Sequence, residues 1–186
     1  MRIGDDERLE ELVVQARGGD PAALEELLTR IRPMVVGRCR KFLPFNDDAD
    51  EAAQDALLAI ATKLDQFSGR GSFRGWAVAV ASNSARDTYR SLTRRAAARA
   101  TAVLPERPDA RTTSVIAGVR LDVLEALDEL ERRSPKLVEP FMLRDLGGLP
   151  YDQIAALTQM PVGTVKARIH QARTFMRSAL VEHGPV

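Results

Sequence analysis

Residues 151–168 read YDQIAALTQMPVGTVKAR, and their spacing decides the fold. Tyr151 to Leu157 forms a short helix with a small residue, Ala155, where a second helix would cross it. A three-residue turn follows, and a longer helix runs from about Pro161 to Val181. In that helix Val165, Ile169, Ala172, Met176 and Ala179 recur at steps of four and three, which buries one apolar stripe. Thr164, Lys166, Arg168, Gln171 and Arg173 are left on the wider, exposed faces. A short helix, a tight turn and a longer helix with a polar, basic outer face make a helix-turn-helix, whose second helix enters a DNA major groove. Thr164, Arg168 and Gln171 then project toward base edges, while Lys166 and Arg173 meet phosphates.

Working outward, Gly147-Gly148 ends a helix that Ser134-Pro135 opens and that buries Leu137, Phe141, Met142 and Leu143. Leu121, Leu124, Leu127 and Leu130 form the stripe of the helix before it. Residues 96–119 hold Ala, Thr, Arg and Pro with no sustained apolar face, and read as a linker. Further back, Asp20-Pro21 opens a helix carrying Leu24, Leu27, Leu28 and Ile31, which Pro33 interrupts. Met34 to Leu43 follows as a second segment. Asp47 or Asp48 caps a helix with Ala49, Ala52, Ala53, Ala56, Leu57, Ile60 and Leu64 inward. After a glycine loop, Ser72 caps the helix of Phe73, Trp76, Ala77, Val80 and Ala81. No period-two alternation occurs, so the fold is all-α. It comprises two small helical domains, 1–95 and 120–182, with a short tail at 183–186.

The chain has 186 residues, too few for a large enzyme core. One cysteine, Cys39, and two histidines, His170 and His183, exclude a disulfide framework and a Cys/His zinc cage. No metal or cofactor is expected. No apolar run approaches the roughly 18 residues of a membrane span, and the acidic start is unlike a signal peptide, which points to the cytoplasm without membrane insertion. Lys and Arg total 27 against 26 Asp and Glu, but the charge is sorted along the chain. Residues 42–62 hold five acids and no base, and residues 70–99 seven arginines against Asp87 alone. From Arg120 to Asp152 eight acids outnumber five bases, and from Gln153 to Val181 there is no acid. A neutral total hides two basic and two acidic surfaces.

Three readings are open for the acids Asp47, Asp48, Asp50, Glu51 and Asp55. They complement a helix N-terminus, they hold magnesium for diphosphate chemistry, or with Gln54 they form a docking face for a basic partner. The magnesium reading lacks a second acidic cluster on a facing helix. The following stretch, from Phe67 to Arg90, interleaves arginines with aromatics beside a glycine loop. Ser68, Gly69, Arg70, Ser72, Phe73, Arg74 and Trp76 suit single-stranded nucleic acid, with bases held by the loop or rings and the backbone neutralised by guanidinium groups. Phe73 and Trp76 suit the core equally well, and for Trp76 the core is the favoured reading. Asn83, Arg86 and Arg90 share one helix face and extend this basic surface.

The order of these parts resembles the extracytoplasmic-function sigma factors, which carry sigma regions 2 and 4 only. The resemblance runs from Leu24 to Leu180 and is carried by Asp50 to Asp55, Phe73-Arg74-Gly75-Trp76, Leu143-Arg144-Asp145 with Gly148 to Tyr151, and Pro161 to Arg168. It implies that Asp50, Glu51, Gln54 and Asp55 dock on the clamp helices of the largest subunit of core RNA polymerase. It implies that Ser68 to Ser72 and the next helix capture the single non-template strand of the minus-ten element, with Asn83, Arg86 and Arg90 facing the DNA around it. The C-terminal helix would read duplex DNA at minus-35, the second domain would meet the flap of the second-largest subunit, and the linker would thread toward the active-site cleft. An anti-sigma factor is a possible further partner. Three features depart from the family. Ala53 stands in the place of the apolar residue that often precedes the glutamine of the acidic helix. Gln159 stands where the turn glycine is usual, and costs about 1 kcal/mol if left-handed. Pro140 falls inside a helix and must kink it or shift its register. Two rival functions are a stand-alone helix-turn-helix regulator with a dimerising or sensing N-terminal domain, and a magnesium-dependent helical enzyme.

Overall fold

The computed structural model describes residues 3–102 and 115–182, and every regular element among them is helical. The first four helices are α1 (Ile3–Arg17), α2 (Pro21–Phe42), α3 (Asn46–Thr62) and α4 (Phe73–Ala102). The second four are α5 (Val115–Arg133), α6 (Pro135–Phe141), α7 (Tyr151–Thr158) and α8 (Val162–Glu182). A 3-10 turn at Leu64–Gln66 follows α3, and a π-helical turn at Met142–Leu146 follows α6.

Helix α2 is the central strut of the first domain, packed on α1, α3 and α4. The Asp20 carboxylate accepts from the backbone N–H of Ala22 at 2.9 Å and Ala23 at 3.3 Å, and Pro21 supplies the first helical φ. The break expected at Pro33 does not occur, because α2 runs through it to Phe42. An interior proline costs about 3 kcal/mol. Leu27, Ile31, Val35, Cys39 and Phe42 are all buried along one stripe, and a large apolar side chain contributes about 1.5–3 kcal/mol on burial. Packing therefore outweighs the lost hydrogen bond. Burial also pushes the Cys39 thiol up to about 11, which keeps it unreactive.

In α3 neither Asp47 nor Asp48 caps. Phe45 occupies that position without a side-chain bond, and the two acids lie in the first turn beside the positive end of the helix dipole. Ala49, Ala52, Ala53 and Ala56 are buried, so α3 approaches α2 and α4 closely. The Ser72 hydroxyl accepts from Gly75 N–H at 3.1 Å and caps α4. Helix α4 continues to Ala102 and α5 begins at Val115, so helix extends into both ends of the stretch read as linker. Alanine and arginine are strong helix formers, and an established helix propagates through them without an apolar face. Residues 103–114 and the tail 183–186 lie outside the described residues.

In the second domain Leu124, Leu127 and Leu130 of α5 pack with Leu137, Val138 and Phe141 of α6 and with Ala172, Met176 and Ala179 of α8. Pro140 shifts the register instead of ending the helix. Gly147 N–H bonds Met142 O at 2.7 Å and Leu149 N–H bonds Leu143 O at 3.0 Å, wider loops than the α-helical one. A Cβ at Gly147 would collide with the carbonyl oxygen of Leu143, so the turn requires glycine. Gln159 is left-handed, with φ 54° and ψ 36°, and carries the strain anticipated for a non-glycine residue there.

The two domains touch. Val78 of α4 joins Leu143, Leu149, Ile154, Val165 and Ile169 in one buried cluster. Leu149 and Leu157 lie against Gly75, where a Cβ would stand 3.1 and 3.2 Å from their methyl groups. The Arg38 guanidinium crosses the interface to Gly147 O at 3.0 Å.

Candidate nucleic-acid and partner interfaces

Glu51, Gln54 and Asp55 are exposed on the outer face of α3. Asp50 is half-exposed and engaged by Arg40, whose Nη2 lies 3.1 Å and 3.3 Å from its two oxygens. One turn beyond Gln54 and Asp55, Leu58 is 63% exposed. The acidic face therefore carries an apolar side chain that the charge pattern alone does not reveal.

Ser68, Gly69 and Arg70 form the exposed crest of the loop before α4, and Gly69 and Gly71 both adopt φ +73°. Glycine meets no Cβ penalty there. Ser72 is half-buried and donates to Gln153 Oε1 of α7 at 3.2 Å. Phe73 is completely buried, with its ring centroid 5.6 Å from Phe67 and 5.7 Å from Trp76. In this position it supports the loop from beneath and offers no face to a base, so of its two readings the core one holds and the DNA contact does not. The gain from burying a large ring explains the outcome. Trp76 is half-buried in the same cluster, and Arg74 pairs with Asp6 of α1 at 3.6 Å.

Asn83 is exposed, but Arg86 and Arg90 are occupied. Arg86 is buried and donates to Glu131 of α5 at 2.6 Å. Arg90 donates to Asp128 at 3.1 Å and also pairs with Glu131. Burial, with the neighbouring Arg90 charge, lowers the Arg86 pKa from its ordinary value. The two arginines therefore lie against the acidic block of the second domain. The excess of acids over residues 120–152 was the only sequence signal for this pairing, and it did not say which base each acid would meet.

On α8, Lys166 and Gln171 are exposed, and Thr164 and Arg168 are half-exposed near its N-terminus. The Lys166 ammonium sits 5.5 Å from the Tyr151 ring centroid, and the Arg168 guanidinium turns back to the Met160 sulfur. Arg173 grips Asp145 through both carboxylate oxygens, with Nε at 2.7 Å, and that carboxylate raises its pKa. Four of the five side chains expected at DNA thus lie along the outer side of α8, and Arg173 is tied to the turn below. Among the described residues no group of three or more His, Cys, Asp or Glu side chains is arranged to hold a metal ion. No helix among them is long and apolar enough to cross a membrane.

Residues 27–95 match the model of sigma-70 region 2, and residues 120–176 match that of sigma-70 region 4. Over 184 residues the chain is 32% identical to the ECF RNA polymerase sigma factor SigD of Mycobacterium tuberculosis, covering 96% of this chain and 86% of that one. The chain belongs to the extracytoplasmic-function RNA polymerase sigma factors. It is also 27% identical to the RNA polymerase sigma-H factor of Pseudomonas aeruginosa, over 94% of each chain. To the ECF RNA polymerase sigma-E factor of Escherichia coli it is 27% identical, over 87% of this chain and 88% of that one. Among solved structures it resembles CnrH in complex with the cytosolic domain of CnrY, at 25% identity and a TM-score of 0.55, covering 96% of this chain and 99% of the other. In this sigma factor the region 2 match includes α3, the glycine loop and α4 to Arg95, and the region 4 match includes the helix-turn-helix. Helix α1 precedes both.

Proposed function

We propose that this sigma factor binds core RNA polymerase and directs it to promoters by reading a minus-ten element as single strand and a minus-35 element as duplex. The observation that carries this is the pairing of region 2 and region 4 in one chain, each matched where its own surface chemistry suits the role. It also favours a sigma factor over a stand-alone regulator. The division into residues 1–95, a linker at 96–119 and 120–182 follows the same assignment. The chain performs no covalent chemistry and acts in the cytoplasm, where polymerase supplies the reaction. Glu51, Gln54, Asp55 and Asp50 dock on the clamp helices of the largest subunit, and the second domain meets the flap. Ser68, Gly69, Arg70 and Ser72 take the opened strand, while Thr164, Lys166, Arg168 and Gln171 read the duplex. Each contact alone is weak and salt-sensitive, and polymerase makes the two readings effectively intramolecular. That CnrH occurs in complex with the cytosolic domain of CnrY supports a protein partner for this chain as well, and an anti-sigma factor is the partner proposed. Chromatography with sigma-free core polymerase tests the assignment. Co-elution in one peak is expected, and separate elution contradicts it.

The reading requires the two domains to part, because Arg86 and Arg90 are occupied by Asp128 and Glu131, and Ser72 by Gln153. Arg38 favours parting. Two of its guanidinium nitrogens, Nε and Nη1, are buried without a hydrogen-bond partner among the described residues, a cost that the closed arrangement carries and that parting would relieve if it opens them to water. Asp128→Ala with Glu131→Ala leaves the buried Arg86 unpaired, which strongly destabilises the closed form. The double variant is expected to show a larger radius of gyration by small-angle scattering. It should also bind a single-stranded minus-ten oligonucleotide at least about tenfold more tightly than wild type in the absence of polymerase. An unchanged radius with unchanged DNA affinity would contradict the closed form as a barrier.

A further inference from the structure

Helix α1 touches both ends of the glycine loop. At the loop's start, Arg17 donates to the Phe67 carbonyl at 3.4 Å, and the same guanidinium lies 3.6 Å from Asp65. At its end, a Glu10 carboxylate oxygen accepts from the Phe73 N–H at 2.7 Å. That N–H belongs to the first residue of α4, one of the donors a helix leaves without an internal partner. Ser72 satisfies Gly75, and Glu10 satisfies Phe73 from another helix. Asp6 adds an ion pair to Arg74, 3.6 Å away on the next residue of α4. Buried Leu9, Leu12 and Val13 fix α1 to the core, so these polar groups are delivered from a rigid support.

The loop needs such support. Gly69 and Gly71, both at positive φ, give its crest a large choice of backbone conformations. A loop that must hold an unstacked base loses that freedom on binding, and anchoring both ends beforehand reduces the loss. We propose that α1 is a positioning element for strand capture, with Glu10 and Arg17 holding the two ends of the loop that takes the minus-ten base. The assignment rests on the functional reading above and adds two residues outside the region 2 match, which begins at residue 27. Neither residue touches DNA. Their effect is on the shape of the loop that does.

The test uses holoenzyme assembled from core polymerase and full-length protein. The probes are a fluorescent single-stranded oligonucleotide carrying the non-template minus-ten element of a promoter the protein transcribes, and a duplex spanning minus-35 alone. Glu10→Ala is expected to weaken the single-stranded probe about tenfold, the loss of one charge-assisted hydrogen bond. Minus-35 duplex binding and affinity for core should not change, and Glu10→Gln, which keeps an acceptor oxygen, should recover most of the loss. Arg17→Ala probes the other anchor with a side chain 43% exposed, and serves if Glu10→Ala does not fold. Equal losses on both probes, no loss on either, or a Glu10→Gln variant as weak as Glu10→Ala would overturn the proposal. Failure of wild-type holoenzyme to prefer the minus-ten oligonucleotide would instead overturn the functional reading on which it rests.

Discussion

Glu51→Arg combined with Asp55→Arg is expected to remove the protein from polymerase, weakening holoenzyme assembly by roughly a hundredfold or more while the fold survives. Both side chains are exposed, so neither substitution disturbs the buried alanines that hold α3 to α2 and α4. Asp50 is the poorer choice, because Arg40 already engages it and reversing its charge would place two cations together. An acidic face meeting a basic one gains little net affinity from each charge, yet like charges brought together at an interface cost several kcal/mol. Reversal therefore reports more strongly than deletion. Leu58 is 63% exposed beside these acids, and if α3 is the docking face, Leu58→Ala should remove an apolar contact and weaken assembly without altering its salt dependence. Fluorescence titration of labelled protein with core polymerase measures both. Normal assembly by the double reversal would move the docking face elsewhere.

The second large effect is expected at the other end of the chain. Lys166→Glu with Arg168→Glu should cost about 3 kcal/mol in promoter binding, roughly a hundredfold, by removing one phosphate and one base-edge contact and adding repulsion. Lys166 is exposed and Arg168 half-exposed, and Val165 and Ile169 beside them are buried, so the stripe that seats α8 is untouched. Holoenzyme assembly should be normal, and transcription from a template whose minus-35 element is scrambled should fall far less. Equal losses on intact and scrambled templates would sink the assignment of this helix. Wild type should also lose affinity steeply with salt, and the double variant less so, since it releases fewer counterions.

What the sequence made legible was local. The stripe Val165, Ile169, Ala172, Met176 and Ala179 is buried as its spacing requires, and the left-handed turn falls on Gln159. Both follow from periodicity and sterics within a few residues. Pro33 was misleading because proline's cost is local while its compensation, the burial of Ile31 and Val35 against other helices, is tertiary. Helix α1 carries Leu9, Leu12 and Val13 at helical spacing but lies before the stretch that resembles the family, and its hydrogen bonds to the loop span 50 and 63 residues. The pairing of Arg86 with Glu131 spans 45 residues. Charge blocks show that such surfaces exist, whereas their partners depend on how two domains meet. Phe73 was open to two readings, nucleic acid from the arginines beside it and core from its ring, and the aromatic cluster beneath the loop decides for the core.

The most direct measurement is run-off transcription with sigma-free core RNA polymerase, the purified protein and fragmented genomic DNA. Discrete transcripts that require the protein, with starts downstream of a shared pair of elements spaced as minus-35 and minus-ten, are the predicted result. Absence of any protein-dependent transcript, together with failure to co-elute with core, would contradict the account.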